Sequence, residues 1–252
     1  MPQIDPAWAV ATLLLWARLG VLVGLSPLAQ AVKTPVAFWV LFTLALAGTL
    51  CAALGVRAPV PGGVAHLSLL LCGEVALGAL LGFSLHAAFA TLAMAGRLLD
   101  LQMGFGMATV LDPVTRANAP VIGVALTMLV VAVFFGLDGH HALLRGIAWS
   151  VREVPPGAAW HLPTPVQLLR VVGGMFSLAV VVVAPALFML LMIEVVLAVA
   201  ARVLPQMNVL FIGMPVKALA GMALLAPAAP GLASILRRVI SAVFDFWQEV
   251  LP

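Results

Sequence analysis

Two apolar blocks of about forty residues each dominate the second half of this chain and restrict the folds open to it. One runs from Pro165 to Leu204 and the other from Asn208 to Val250. A helix of that length is about 60 Å long, roughly twice the thickness of a bilayer's hydrocarbon core. Prolines interrupt both blocks, with Pro185 in the middle of the first. Each block therefore folds either as two membrane spans that separate at the prolines or as one bent helix that extends beyond the bilayer.

The remainder of the chain is also apolar. Hydrophobic residues make up 64% of the 252 residues and charged residues 8%, whereas about a quarter of the residues are charged in soluble domains. A soluble fold of this size cannot cover so much apolar surface. Further blocks at 8–25, 36–54, 64–101 and 120–137 have helical lengths and lack the alternation of barrel strands. We therefore predict an all-α, membrane-associated protein with long, proline-bent helices.

Charge and cysteine content exclude several classes of function. The net charge is +3 and the basic residues are scattered, so we predict no binding to nucleic acid. Cys51 and Cys72 lie in apolar blocks without the spacing of a metal site, and both are predicted to be buried packing residues. The sequence contains neither a nucleophile motif nor a phosphate-binding loop. We predict no enzyme activity and no cofactor.

One carboxylate stands within the third apolar block. Gly78 and Gly82 follow Glu74 at intervals of four residues in GEVALGALLGF, so all three share one helical face. Small residues at this spacing let a second helix approach closely, and a carboxylate there can bond across the contact. The pattern favours a packing stripe with one satisfied Glu over a proton-binding site.

The segment LDGHHALLR, residues 137–145, combines a carboxylate with two adjacent histidines. Asp138, His140 and His141 are residue types that bind metals, and a membrane metalloenzyme would be built on them. Adjacent helical side chains point about 100° apart, however, and no further ligands are identifiable. We interpret the segment as the start of a helix, capped by Asp138 and turned at Gly139, and predict no metal site.

The residues that follow, 141–154, predict a short amphipathic helix. Leu144, Ile147 and Val151 fall on one face, with Arg145 and Arg152 elsewhere. A proline-rich linker, residues 155–165, then separates this helix from the first long block.

The segment QMGFGMATVLDPVTRANAP, residues 102–120, predicts a loop longer than most connections, and loops of this length are usually functional or disordered. Its glycines permit backbone conformations closed to other residues, and its phenylalanine and methionines supply deformable apolar bulk. A later Asp-Pro pair stiffens the part of the loop that leads to the next helix. These properties suit a movable stopper. The alternative interpretation is a simple connector between two helices. The stopper residues are Met103, Gly104, Phe105, Gly106, Met107, Asp112 and Pro113.

The segment ARVLPQMNVLFIGMPVK, residues 201–217, joins the two long blocks. A proline and two amide side chains at a helix boundary predict a hairpin turn. The flanking residues are too apolar for a solvated loop, which indicates contacts with protein around the turn. We assign to helix packing or to a subunit interface Arg202, Pro205, Gln206, Asn208, Gly213, Pro215 and Lys217, together with Glu74, Gly78 and Gly82.

Four motifs in this order resemble the FliR family of flagellar type III export-gate proteins and its injectisome counterparts, the SctT proteins. They are GEVALGALLGF, AGRLLDLQMGFGMATVLDP, LDGHHALLRGIAWSVREVPPG and ARVLPQMNVLFIGMPVK. The last is the most specific, and the resemblance covers nearly the whole chain. The chain departs from the family pattern at Arg97 and Asp100, where more neutral residues are expected.

The resemblance implies a FliP-like helical part, residues 1–160, and a FliQ-like helical hairpin, residues 161–252. Such a subunit joins FliP and FliQ around a channel for unfolded flagellar proteins, alongside FlhB and other export apparatus proteins. It implies a place in the bacterial inner membrane at the flagellar basal body, and a loop 102–120 that plugs the channel. It also favours single bent helices over extra spans. The alternatives are the SctT subunit of an injectisome and a small-solute secondary transporter, which would require internal repeats.

Overall fold

The computed structural model describes residues 5–27, 34–105, 121–203 and 209–251, and within these ranges the chain is helical with no β-strand. The prediction of an all-α protein is confirmed. The helices are α1 (Pro6–Leu25), α2 (Val36–Leu54), α3 (Val64–Met103), α4 (Val121–Gly136), α5 (Gly139–Glu153), α6 (Pro165–Val203) and α7 (Val209–Val250).

Four of these helices, α1, α2, α3 and α6, are long and apolar enough to cross a bilayer. Their length and composition make the chain a membrane protein. Each of the two forty-residue blocks forms one helix: α6 has 39 residues and continues through Pro185, and α7 has 42. The sequence left open whether each block forms two membrane spans or one long helix, and the structure shows one long helix for each.

Local signals explain most helix boundaries. Pro6 occupies the first turn of α1, and the side chain of Asp5 accepts a hydrogen bond from the Ala7 amide at 3.1 Å. Gly55 ends α2 in the left-handed conformation, with φ +64°. The predicted loop boundary at residue 102 is wrong, because α3 continues through Gln102 to Met103.

Asp138 is the N-cap of α5, as predicted, but the predicted side-chain cap and the turn at Gly139 are wrong. Asp138 itself takes the left-handed conformation, with φ 56° and ψ 29°, and its side chain makes no capping hydrogen bond. Its backbone carbonyl instead accepts from the amides of His141 and Ala142. Asp tolerates this conformation better than most residues, which accounts for the tight turn before α5.

The chain packs as two units, each assembled from separate stretches of sequence. Unit 1 comprises Met1–Ala87, Asp138–Val171 and Ile240–Pro252, and unit 2 comprises Ala88–Leu137 and Val172–Val239. Helices α3, α6 and α7 contribute residues to both. The predicted division at residue 160 concerns likeness to FliP and FliQ, which packing within one chain does not test, so it stays a prediction.

Unit 1 is built around α1, which packs against α2 and against the first half of α3. Its buried face includes Leu14, Leu15 and Leu19. The amphipathic α5 also packs on this core. Of its predicted apolar face, Ile147 and Val151 are buried but Leu144 is exposed, and Gly146 and Ser150 are buried beside them.

The C-terminal end of α7 completes unit 1. Trp247 is buried, and its indole N–H donates to the Ser84 hydroxyl at 2.7 Å.

The two cysteines differ, since Cys51 is buried as predicted but Cys72 is exposed, so the expectation for Cys72 is wrong.

Unit 2 has its own apolar core between the second half of α3, the start of α4 and the middle of α6. Leu99 and Met103 of α3 are each 1% exposed, and Ala179 and Leu190 of α6 are fully buried. Phe105, just beyond α3, packs partly buried against this core. The start of the segment between α3 and α4 is therefore attached to the body of unit 2.

Candidate functional site

The most polar buried site of unit 1 is an ion pair between α1 and α3. The Nε atom of Arg18 lies 2.6 Å from Oε2 of Glu74, and the two side chains are 0% and 4% exposed. In an apolar interior, an unpaired charge of either kind is costly, and pairing with further hydrogen bonds offsets that cost.

The remaining polar atoms of this pair bond to the chain around α5. The two terminal nitrogens of Arg18 donate to the carbonyls of Ser150, at 3.3 Å, and Val154, at 2.9 Å. The Oε1 atom of Glu74 accepts from the Gly157 amide at 2.8 Å, and Gly157 has φ +82°, a conformation that favours glycine. One buried network thus ties α1, α3, α5 and the linker together.

Gly78 and Gly82 lie on the face of α3 that packs against α1 of the same chain. A Cβ atom on Gly78 would overlap the backbone carbonyl of Arg18. A Cβ atom on Gly82 would come within 3.0 Å of the Leu22 backbone. The stripe therefore brings the two backbones into direct contact beside the Arg18–Glu74 pair.

In unit 2, the segment between α3 and α4 begins at a closely packed point. Met103 is buried beneath α7, where a Cβ atom on Gly221 would come within 2.6 Å of its thioether sulfur. Gly104 follows with φ +84°, next to the side chain of Met214. Met103 is thus a core residue of α3 rather than a residue of the predicted loop.

Of the other predicted stopper residues, Gly104 and Phe105 are placed by the structure. Gly106, Met107, Asp112 and Pro113 lie outside the described residues.

Asp100 bonds to the start of α4, the helix that follows this segment. Its Oδ1 accepts from the Ile122 amide and its Oδ2 from the Gly123 amide, both at 2.8 Å. Asp100 is 3% exposed, so this carboxylate is buried in the joint between α3 and α4. Asp100 and Arg97 are the departures from the family pattern, and Arg97 is exposed.

The predicted hairpin residues that the structure describes occupy two helices of unit 2. Lys217 of α7 pairs with Glu194 of α6 at 3.1 Å, and their side chains are 17% and 50% exposed. Gly213 faces Leu197 of α6, since a Cβ atom on it would lie 3.3 Å from that side chain. Arg202 and Pro215 are exposed. Pro205, Gln206 and Asn208 lie outside the described residues.

Asp138, His140 and His141 do come together, with one potential ligand atom of each within 4.8 Å of the others. The Asp138 carboxylate lies 3.4 Å from Nδ1 of His141, and these two side chains are 76% and 60% exposed. An exposed cluster of three neighbouring residues is common without an ion, and we assign no metal to it.

Comparison with known proteins decides the family. The family model described as bacterial export proteins, family 1, matches residues 9–243. The chain belongs to this family. The chain is similar to the flagellar biosynthetic protein FliR of Bacillus subtilis, with 28% identity over 190 residues that cover 74% of this chain and 73% of the relative.

Two further relatives are similar to this chain. FliR of Pectobacterium carotovorum is 30% identical over 183 residues, covering 72% of this chain and 70% of the relative. The Yop proteins translocation protein T of Yersinia pestis is 31% identical over 155 residues, covering 60% and 59%. This member of export family 1 is thus similar to both flagellar biosynthetic proteins and a Yop translocation protein, and the family resemblance inferred from the motifs is confirmed.

Sequence reasoning missed several residues of these sites in the export protein. Arg18 was visible as a lone charge in an apolar helix, a signal that calls for a partner, but the choice of Glu74 depends on the packing of α1 on α3. Asp100 was visible as a departure from the family pattern. Its partners are backbone amides, which leave no trace in the sequence.

Proposed function

We propose that this chain is the FliR-type subunit of a flagellar type III export gate. In this proposal it stands in the bacterial inner membrane at the flagellar basal body. It assembles with FliP- and FliQ-type subunits, and works with FlhB, to form the channel for unfolded flagellar proteins. The observation that carries the proposal is the match of nearly the whole chain to export family 1, with FliR proteins among its relatives.

The apolar surface of α6 supports assembly with other membrane subunits. Its 39 residues make a helix of about 58 Å, which is longer than the hydrocarbon core of a bilayer. Large apolar side chains are exposed along most of its length, including Phe176, Phe188 and Val203, which are 52%, 59% and 72% exposed. Because lipid cannot cover both ends of such a helix, other protein chains must cover part of it.

The sites described above suit a conduit rather than an enzyme. The buried charges of Arg18, Glu74 and Asp100 are each bonded to other groups of the chain, so they stabilise helix joints. Passage of an unfolded chain requires no bond chemistry. We therefore propose a non-enzymatic subunit, with energy supplied by the proton gradient and by an ATPase complex on other chains.

We further propose that the predicted loop 102–120, of which Gln102 and Met103 belong to α3, obstructs the channel when no substrate is present. The support is the composition of residues 104–120, with two glycines, one phenylalanine and one methionine, together with the fixed packing of Gly104 and Phe105 at its start. Because the start of the segment is fixed, we expect the segment to occupy the same place again after each substrate has passed.

Deletion and reconstitution test the proposed function. Removing the gene from its own organism should abolish motility and the secretion of flagellar subunits, and the wild-type chain should restore both. In detergent, the chain should be unstable alone and should co-purify with FliP- and FliQ-type partners. A monodisperse monomer that associates with neither partner, or a deletion strain that still assembles flagella, would contradict the proposal.

The second candidate is the equivalent subunit of a virulence injectisome. The relative from Yersinia pestis favours it, although that match covers 60% of this chain. The proteins secreted by wild-type cells but not by the deletion strain separate the two candidates. Loss of flagellar subunits alone indicates the flagellar system, and loss of effector proteins with normal motility indicates the injectisome.

A further inference from the structure

We propose that unit 1 binds a phospholipid at the place where α1 begins and α2 ends, and that the headgroup of this lipid carries both a phosphate and a primary amine, as phosphatidylethanolamine does. The site is a cavity of about 440 Å³. Asp5 and Trp8 line it from the start of α1, and Cys51, Gly55 and Arg57 line it from the end of α2 and the chain that follows. Cavities of this size are typical of small-molecule sites.

The cavity lies at the ends of two helices of membrane-spanning length. Helices α1 and α2 are both long and apolar enough to cross a bilayer. The amide of Ala58 donates to the carbonyl of Ala7 at 3.1 Å, so the chain that leaves α2 runs beside the first turn of α1. Tryptophan is enriched where the hydrocarbon core meets water, and Trp8 lies at this level. Lipid headgroups are therefore the molecules that face this cavity.

The cavity carries one anion and one cation, which suits a zwitterionic headgroup. The Asp5 carboxylate accepts from the Ala7 amide through Oδ1 and pairs with Nη1 of Arg57 through Oδ2. A guanidinium has five N–H donors, and the Arg57 side chain is 71% exposed, so donors remain for a phosphate. The ammonium group would be attracted to Asp5 by charge and to the ring of Trp8 by a cation–π interaction. A headgroup with a phosphate but no amine would instead meet Asp5 as a like charge.

A shallow apolar groove leads from the cavity along α2. Leu41, Ala45, Gly48 and Ala52 recur at intervals of three or four residues and so share one helical face. Ala52 lines the cavity, and Leu41, at the far end, is 66% exposed. The distance from Ala52 to Leu41 along the helix is about 16 Å, close to half the thickness of a bilayer's hydrocarbon core. Because the residues between them are small, this face has room for one acyl chain of a single leaflet.

Photolabelling tests the site on the complex purified through this chain and reconstituted in phosphatidylcholine nanodiscs. The probes are phosphatidylethanolamine and phosphatidylglycerol, each with a diazirine in one acyl chain. We expect the ethanolamine probe to label peptides within residues 41–57 several-fold more than the glycerol probe. Glycerophosphoethanolamine, which has the headgroup without acyl chains, should not reduce this labelling. Equal labelling by both probes, competition by the soluble headgroup, or no labelling because a partner subunit covers α2 would each overturn the proposal.

Two substitutions test the headgroup contacts separately. Arg57→Gln removes the cation for the phosphate and should reduce labelling by the ethanolamine probe about five- to tenfold. Asp5→Asn keeps a good N-cap for α1 but removes the negative charge, so the two probes should label almost equally. Arg170→Gln is the matched control, because Arg170 and Glu249 form a similarly exposed ion pair of unit 1 that does not line the cavity, and labelling should not change. Unchanged labelling in Arg57→Gln, or an ethanolamine preference that survives in Asp5→Asn, would overturn the proposal.

Discussion

Arg18 of α1 and Glu74 of α3 form a buried ion pair across 56 positions of sequence, with 2.6 Å between Nε and Oε2. The pair also fixes the C-terminal end of α5 and the chain that follows it. The guanidinium donates to the carbonyls of Ser150 and Val154, and the carboxylate accepts from the Gly157 amide. Desolvation offsets much of the attraction within a buried pair, so we expect its main effect here to be the choice of one helix arrangement rather than net stability.

Removing one partner of the pair should therefore be far more harmful than removing both. Glu74→Ala should destabilise the protein by about 3–5 kcal/mol, whereas the double variant Arg18→Met with Glu74→Leu should recover most of the loss. Thermal unfolding of the purified complex measures this. Arg170→Ala is the control, because its ion pair with Glu249 is exposed and contributes less than about 1 kcal/mol. Equal losses in Glu74→Ala and Arg170→Ala would show that the buried pair has no special role.

The close approach of α1 and α3 predicts a second difference between variants. Gly78→Ala places a Cβ atom against the carbonyl of Arg18 and should cost about 1–3 kcal/mol, because backbone cannot move aside as a side chain can. Gly20→Ala has open space around its new Cβ and should be neutral or stabilising by about 0.5–1 kcal/mol. The unfolding midpoint of Gly78→Ala should therefore lie below that of Gly20→Ala. The reverse order would contradict the packing described.

The Lys217–Glu194 pair predicts a defect that a second change can correct. Lys217→Met leaves the Glu194 carboxylate without its partner on α7 and should weaken the complex by about 1–2 kcal/mol, since Glu194 is half exposed. The double variant with Glu194→Gln should recover much of the complex. Yields of co-purified FliP- and FliQ-type subunits measure both variants. If the double variant loses as much complex as Lys217→Met alone, the pair is not the cause.

Shortening residues 105–117 should leave the complex assembled but permeable to ions or small solutes, because the proposed obstruction would be removed. A second variant that replaces these residues with glycine and serine at equal length should also leak, since it keeps the connection but removes the apolar bulk. Ion permeability at matched levels of complex is the measurement. Intact barriers and normal export in both variants would show that the segment is a connector.

The sequence predicted the helices well for a physical reason. Apolar blocks bounded by Pro, Gly and Asp carry both their length and their ends locally, and α2 begins at Val36 and ends at Leu54 as predicted. The errors fall where tertiary contacts override local pattern. Met103 looked like the start of a glycine-rich loop but is buried beneath Gly221, which extends α3.

The candidate site was less predictable because its bonds join distant stretches of chain. The spacing of Glu74, Gly78 and Gly82 indicated a shared helical face, yet nothing in the spacing identifies α1 as the neighbour. Asp100 is the stronger example, since backbone amides are present at every residue except proline and single out no partner. In both cases the residue type indicated that a bonding or packing partner is required, and only the fold identifies that partner.

The bond between Ser84 and Trp247 has a consequence for how the protein is made. These residues are 163 positions apart, so at the speed of a ribosome Trp247 emerges roughly ten to thirty seconds after Ser84. Until then, Ser84 and the surface around Gly146, which packs against Phe244 and Trp247, have no cover from the end of α7. During that interval the Ser84 hydroxyl bonds only to the Leu81 carbonyl of its own helix, and the backbone at Gly146 has no aromatic cover. Membrane insertion factors or partner subunits that occupy this gap would protect the chain from degradation during that interval.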